Sequence, residues 1–323
     1  MTRSFSIRDI SADPGTKKDG FLSIQDDDAG TVRLLIGIVN GSKPGPVVCV
    51  TGGMYGTIYT GIDACIRLYN DLDPSRLKGT VITVPVIEMT GFQQCMDYSP
   101  IDGLNPNKIF PGDPNGTITH RISDVVFNEA VRKSEYHLDL RGGDLWEQLH
   151  TFTIFHQTGN RDFDQKSEKL ARALGTEYYL ITPDTKGSLI CEASRIGITS
   201  VILEASRGLA TYEEEDVRKN LKAMHNMLKY LGMIEGRPET ANTWIREEFQ
   251  MHLITAKQGG LLYLNCACGD IASEGQKLGE IRNLRGEVLQ ELIAPIDGLI
   301  HYIFPKHIKR PGERVVGMRR ILE

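Results

Sequence analysis

The chain has 323 residues, 40% of them hydrophobic and 24% charged, with a formal net charge of -5 at pH 7 and a pI near 6.0. These proportions suit a folded protein of about two domains and exclude a disordered chain or a disulfide-stapled miniprotein. The acidic balance offers no basic footprint for nucleic acid, and no apolar run approaches the roughly 18 residues of a membrane-spanning helix.

The polar start, residues 1–10, lacks the apolar core of a secretion signal. Residues 1–30 are expected to add a strand or two. The six cysteines are too few for a disulfide framework, and Cys49 and Cys65 sit among apolar residues. Both features fit a reducing, cytoplasmic setting. The run Pro-Val-Val-Cys-Val-Thr at 46–51 reads as a buried strand ended by Gly52 and Gly53, with a helix predicted around residues 62–69. Further strands are expected at 80–87, 137–140, 152–155, 178–181 and 200–203. Ile118, Ile122, Val125, Val126 and Ala130 recur at helical spacing. Thr211 to Glu214 forms a capping-box pattern before the apolar stripe Val217, Leu221, Met224, Leu228 and Leu231. Strands alternating with helices define an α/β layered domain. Residues 91–116 lack a period and are rich in Pro, Asn, Asp and Gly, which predicts a binding loop. Beyond Trp244 short apolar pieces punctuated by glycine indicate a small all-β module. The expected division is 1–243 and 244–323.

Thr51-Gly-Gly-Met-Tyr-Gly-Thr-Ile-Tyr-Thr-Gly61 ends a strand and opens a helix, a place where α/β sheets put ligands. It resembles the Gly-Gly-x-His-Gly-x-Glu motif of the succinylglutamate desuccinylase/aspartoacylase family, within the zinc carboxypeptidase superfamily. Residues 98–116, with Tyr-Ser-Pro-Ile-Asp-Gly-Leu-Asn-Pro-Asn-Lys-Ile-Phe-Pro-Gly, and Asp139-Leu-Arg-Gly-Gly143 extend the resemblance. So do Gly-Gly-Leu-Leu at 259–262 and Ala-Pro-Ile-Asp-Gly at 294–298. The resemblance implies a three-layer α/β/α zinc-carboxypeptidase-like domain with a mixed sheet, plus a small C-terminal β-barrel.

It also implies a zinc-dependent deacylase, yet Tyr55, Ile58 and Arg141 stand where the family has its zinc ligands. Isoleucine has no lone pair and arginine stays protonated, so no metal or other cofactor is expected there. Asp97 replaces a family arginine, Glu88 an asparagine, and Asn107-Lys108 matches the carboxylate-binding pair. Glu204 keeps the general-base position, with an ion-pair role as its bland alternative. Glu204, Asp139 and Glu88 are expected to converge on the vacated position, with Arg141 in short contact with Glu204 or Glu88 and Tyr55 beside it. Asn107 and Lys108 are expected to line the pocket. His156 ends a predicted strand and reads as a structural histidine. Three functions stay open: a metal-free pseudo-hydrolase binding a small acidic N-acyl amino-acid-like ligand, a hydrolase with an altered metal site, and a structural subunit of a hetero-assembly. A homo-oligomer is compatible with each of them.

Overall fold

The computed structural model describes residues 3–28 and 30–322. The N-terminal part runs β1 (Phe5–Ile7), β2 (Ile10–Ala12), β3 (Thr16–Asp27), β4 (Gly30–Asn40), β5 (Lys43–Thr51), α1 (Tyr59–Asp71), β6 (Lys78–Val84), α2 (Met89–Gln94) and α3 (Ile118–Val125). Then follow β7 (Tyr136–Gly142), β8 (Gln148–Leu149), β9 (Phe152–His156), α4 (Arg161–Ala173), β10 (Tyr178–Thr182), α5 (Leu189–Arg195), β11 (Thr199–Ser206) and α6 (Glu214–Tyr230). The last part is all strand: β12 (Ile245–Glu247), β13 (His252–Thr255), β14 (Gly260–Leu264), β15 (Ile271–Ala272), β16 (Lys277–Arg282), β17 (Val288–Ile293), β18 (Gly298–Ile303), β19 (Ile308–Lys309), β20 (Arg314–Arg319) and β21 (Ile321–Leu322).

Ten strands form one mixed sheet in the order β21-β12-β10-β9-β11-β7-β5-β6-β4-β3. Its central strands are buried on both faces, and all eight residues of β11 are inside. Its apolar centre, Val-Ile-Leu at 201–203, suits a strand covered on both sides, and Thr199, Ser200, Glu204 and Ser206 are buried polar residues around it. One face packs against α1, α4 and α6 through Leu68, Leu170, Val217 and Met224. The other packs against α3 and α5 through Ile122, Val125, Leu189 and Ala193, with the β1–β2 hairpin joining this core. Strand β11 runs parallel to β7 but antiparallel to β9, so the sheet changes sense beside β11.

Residues 252–319 fold around a separate apolar core that includes Leu278, Ile281, Leu292, Ile300 and Val316. They form two antiparallel sheets, β13-β20-β18-β15 and β17-β16-β14-β19, and β8 from the α/β part pairs with β18. The expected C-terminal β module is present as two sheets around one core. Strands β12 and β21, both beyond residue 244, extend the edge of the large sheet instead.

Three local expectations are corrected. The Thr211 hydroxyl donates to the Gly208 carbonyl at 2.8 Å, and α6 starts at Glu214 without a side-chain cap. The tight turn at Gly208 takes the hydroxyl that a capping box would use. Strand β6 ends at Val84, ahead of the expected 87, because the chain then turns into α2. The loop at 91–116 contains the end of α2 and a single helical turn at Pro106–Lys108, closed by the Asn105 side chain accepting from the Asn107 N–H.

Candidate functional site

The parallel pair β7–β11 places Arg141 directly opposite Glu204, one register step before Gly142 and Ser206. Arg141 and Glu204 are 6% and 8% exposed, so both charges are withdrawn from water. Burial of a guanidinium demands a counter-charge. Asp139, two residues earlier and therefore on the same face of β7, provides it. Arg141 Nε donates to Asp139 Oδ2 at 2.6 Å, and Nη2 donates to Asn107 Oδ1 at 2.9 Å. Asp139 also accepts from the Thr51 hydroxyl at 2.7 Å. Behind it, His137 lies between Thr51 and Ser200 at 3.0 and 2.8 Å, and burial drops its pKa to about 4, so it is neutral. Tyr55 is held beside Arg141, its hydroxyl meeting the amides of Asn105 and Asn107.

The structure therefore brings Tyr55, Asn107, Asp139 and Arg141 together, with Glu204 facing them. The expected direct Arg141 contact to Glu204 or Glu88 is corrected: the partner is Asp139. Glu88 is fully buried elsewhere, capping α2 by accepting from the Thr90 and Gly91 N–H groups at 3.1 and 3.2 Å. A carboxylate already committed to a helix N-terminus does not reach across to β7. Lys108 is exposed and its side chain makes no hydrogen bond or ion pair among the described residues, so its part in ligand binding stands as a proposal only. Asp97 accepts from the Thr57 hydroxyl and from the Leu145 N–H.

The Glu204 carboxyl makes no hydrogen bond among the described residues. Burial pushes its pKa up to about 8; Arg141 opposes that rise, and Glu147 adds to it. Glu147 is likewise pushed up to about 8 by burial and by Asp144. Sequence reading missed Asp144, Glu147 and Asn105 as neighbours of the site. The first two lie just beyond the Arg-Gly-Gly run, and only the fold of that loop turns them towards Glu204.

The donor set at positions 55, 58 and 141 does not fit a metal. Ile58 is fully buried and apolar, Arg141 is a cation already paired, and the Tyr55 hydroxyl is committed to amides. Among the described residues, the groups that could hold an ion are His150, Glu247 and His301, and His156, Asp184 and Cys191. A cleft of about 460 Å³ between the α/β part and the C-terminal sheets is lined by His150, Ala205, Arg207, Cys266 and Cys268. It opens beside Ala205, on the face of β11 opposite to Glu204.

A mixed sheet between helical layers, with the Gly52-Gly53 turn at the end of β5 and an appended β module, sets the class of fold. Residues 44–231 match the succinylglutamate desuccinylase/aspartoacylase catalytic domain, and the chain belongs to that family. It is 27% identical over 292 residues to the N-alpha-acetyl-L-2,4-diaminobutyric acid deacetylase of Halomonas elongata, covering 87% of this chain and 85% of that protein. Its fold is similar to a succinylglutamate desuccinylase/aspartoacylase from Rhodobacter sphaeroides, with TM-score 0.84, 24% identity, and 95% and 96% of the two chains covered. The product-bound ectoine utilization protein EutE (DoeB) from Ruegeria pomeroyi superposes with TM-score 0.85 at 21% identity, covering 94% and 95%.

Proposed function

We propose that this family member binds a small acidic N-acyl amino-acid-like ligand without hydrolysing it. The observation that carries the reading is the Arg141 network. Arg141 uses Nε and Nη2 on Asp139 and Asn107, and Nη1 makes no hydrogen bond among the described residues. A fixed guanidinium with a spare donor suits a carboxylate or an acyl oxygen. Catalysis lacks its parts. No group at positions 55, 58 and 141 can activate water as a Lewis acid would. Burial pushes the Glu204 pKa up to about 8, so the carboxyl tends to hold its proton at neutral pH. Lys108, exposed on the neighbouring turn, is proposed to supply a second positive charge once ligand is bound.

The second reading, a hydrolase with altered machinery, draws on Glu204 being present at the general-base position and on the similarity to the Halomonas deacetylase. Titration calorimetry with a panel of N-acetyl and N-succinyl amino acids separates the two. Saturable binding at one site per chain is expected, weakened at least about tenfold by Arg141→Met or Asn107→Ala, with no amine released in the cell. Absence of binding across the panel would sink the proposal, as would amine release.

A further inference from the structure

We propose that His156, Asp184 and Cys191 form a zinc-type metal site, separate from the Arg141 network. The three residues come from adjacent places in the fold. His156 is the last residue of β9, Asp184 lies two residues past the end of β10, and Cys191 sits in the first turn of α5. Strands β9 and β10 are parallel, with His156 opposite Thr182. Their carboxyl ends therefore open on the same side, where α/β sheets place ligands.

Metal-ligating atoms of the three side chains lie within 4.8 Å of one another. His156 Nε2 is 3.6 Å from Asp184 Oδ1. That is too long for a hydrogen bond, but close to the separation of roughly 3.3–3.6 Å expected between ligands on a tetrahedral zinc with bonds of about 2.0–2.3 Å.

His156 points independently to a ligand. It is 3% exposed, and neither ring nitrogen has a hydrogen-bond partner. An imidazole so buried should be satisfied on at least one side. Cys191 Sγ accepts from the Thr185 N–H at 3.5 Å and donates to the Pro183 carbonyl at 3.7 Å; burial raises its pKa, so the thiolate forms only as the ion binds. Asp184 is bonded by Arg195, which is itself paired with Glu192. Arg195 bonds Oδ1, the oxygen that also faces His156, so that oxygen is shared between the guanidinium and the ion or the carboxylate turns to offer Oδ2. His156 and Asp184 also line a cleft of about 390 Å³, with Thr158, Asn160 and Arg195. This cleft gives entry to the ion and room for water in the fourth position.

A neutral nitrogen, a thiolate and a carboxylate together favour zinc over magnesium or calcium. On binding, N–Zn, O–Zn and S–Zn bonds form and the Cys191 thiol releases one proton to solvent. Binding therefore weakens as pH falls.

The test uses the full-length protein stripped with a chelator and titrated with Co²⁺, then with Zn²⁺. One Co²⁺ per chain is expected, with a thiolate-to-cobalt charge-transfer band in the near ultraviolet that Zn²⁺ removes. Cys191→Ser should abolish the band and His156→Ala should abolish binding. Asp184→Asn changes a largely exposed side chain, so it should fold normally while weakening affinity at least about tenfold. A charge-transfer band that persists in Cys191→Ser would overturn the proposal. So would no band at all, which would leave His156 as a structural histidine satisfied by water. This readout is independent of hydrolysis and of ligand binding at Arg141.

Discussion

At Glu204 a single carboxyl group decides what chemistry the site can offer. Its neighbours on the loop, Glu147 and Asp144, are also acidic, while the nearby cation, Arg141, is already neutralised by Asp139 at 2.6 Å. A second full charge at Glu204 would be buried without a partner, so the folded protein holds a proton there up to a pH of about 8, whereas the ordinary value is 4.5. The folded state thus binds more protons than the unfolded state between those values, and stability falls as pH rises through that window. Below about 4.5 the group costs nothing; above about 8 the cost is fully present, on the order of a few kcal/mol. Glu204→Gln should therefore gain stability relative to the parent at about pH 9 and much less at about pH 5, read from urea midpoints. Equal effects at both pH values would show that Glu204 is ionised in the fold. Arg141 follows the same logic from the other side. The sequence placed it at the vacated position but could not name its partner, because same-face spacing on β7 makes Asp139 available while Glu88 is spent on a helix cap.

At the scale of elements, the pairing of β7 with β11 builds the site, and its register depends on one close approach. A Cβ added to Gly142 would lie 2.1 Å from the Ser206 Cβ, so the two strands come together there only because residue 142 has no side chain. Gly142→Ala should destabilise by about 1–3 kcal/mol through overpacking, measured by denaturant unfolding, and should also weaken ligand binding by shifting Arg141. Unchanged stability would mean that the pair can separate without cost. These strands were legible from short apolar cores, Leu138 and Leu140 in β7 and Val201 to Leu203 in β11. The β-branched stretch to Ile87 outlasts strand β6, which ends at Val84, and the hydroxyl of the capping pattern before α6 is used by the Gly208 turn. Non-local convergence was not legible. His156, Asp184 and Cys191 are spread over 36 positions by their numbering and meet only because β9 and β10 are parallel neighbours.

Across the whole molecule, the C-terminal sheets are tied to the α/β part by buried polar contacts as well as by strand pairing. Glu247 on β12 accepts from His301 on β18 at 2.5 Å and lies 3.1 Å from His150, and these contacts hold its pKa down near 2 against burial. His301, pushed to about 4 chiefly by burial, is neutral and donates through Nδ1. With β8 paired to β18 and β21 returning to the large sheet, the two parts are joined at several points. Composition and glycine spacing marked the change near Trp244, but they could not show that β12 and β21 belong to the large sheet. An edge strand of two or three residues carries too little pattern to assign to a sheet.

The central claim is that the position held by zinc ligands in the family's motifs has become a metal-free Arg141–Asp139–Asn107 network that binds without turnover. The most direct measurement is amine release from N-acetyl-L-2,4-diaminobutyrate and other N-acyl amino acids by the purified full-length protein, with and without added Zn²⁺. Release no faster than in buffer is predicted under every condition, with activity absent until Tyr55→His, Ile58→Glu and Arg141→His are combined. Sustained turnover by the unmodified protein that is lost in Glu204→Gln would contradict the account.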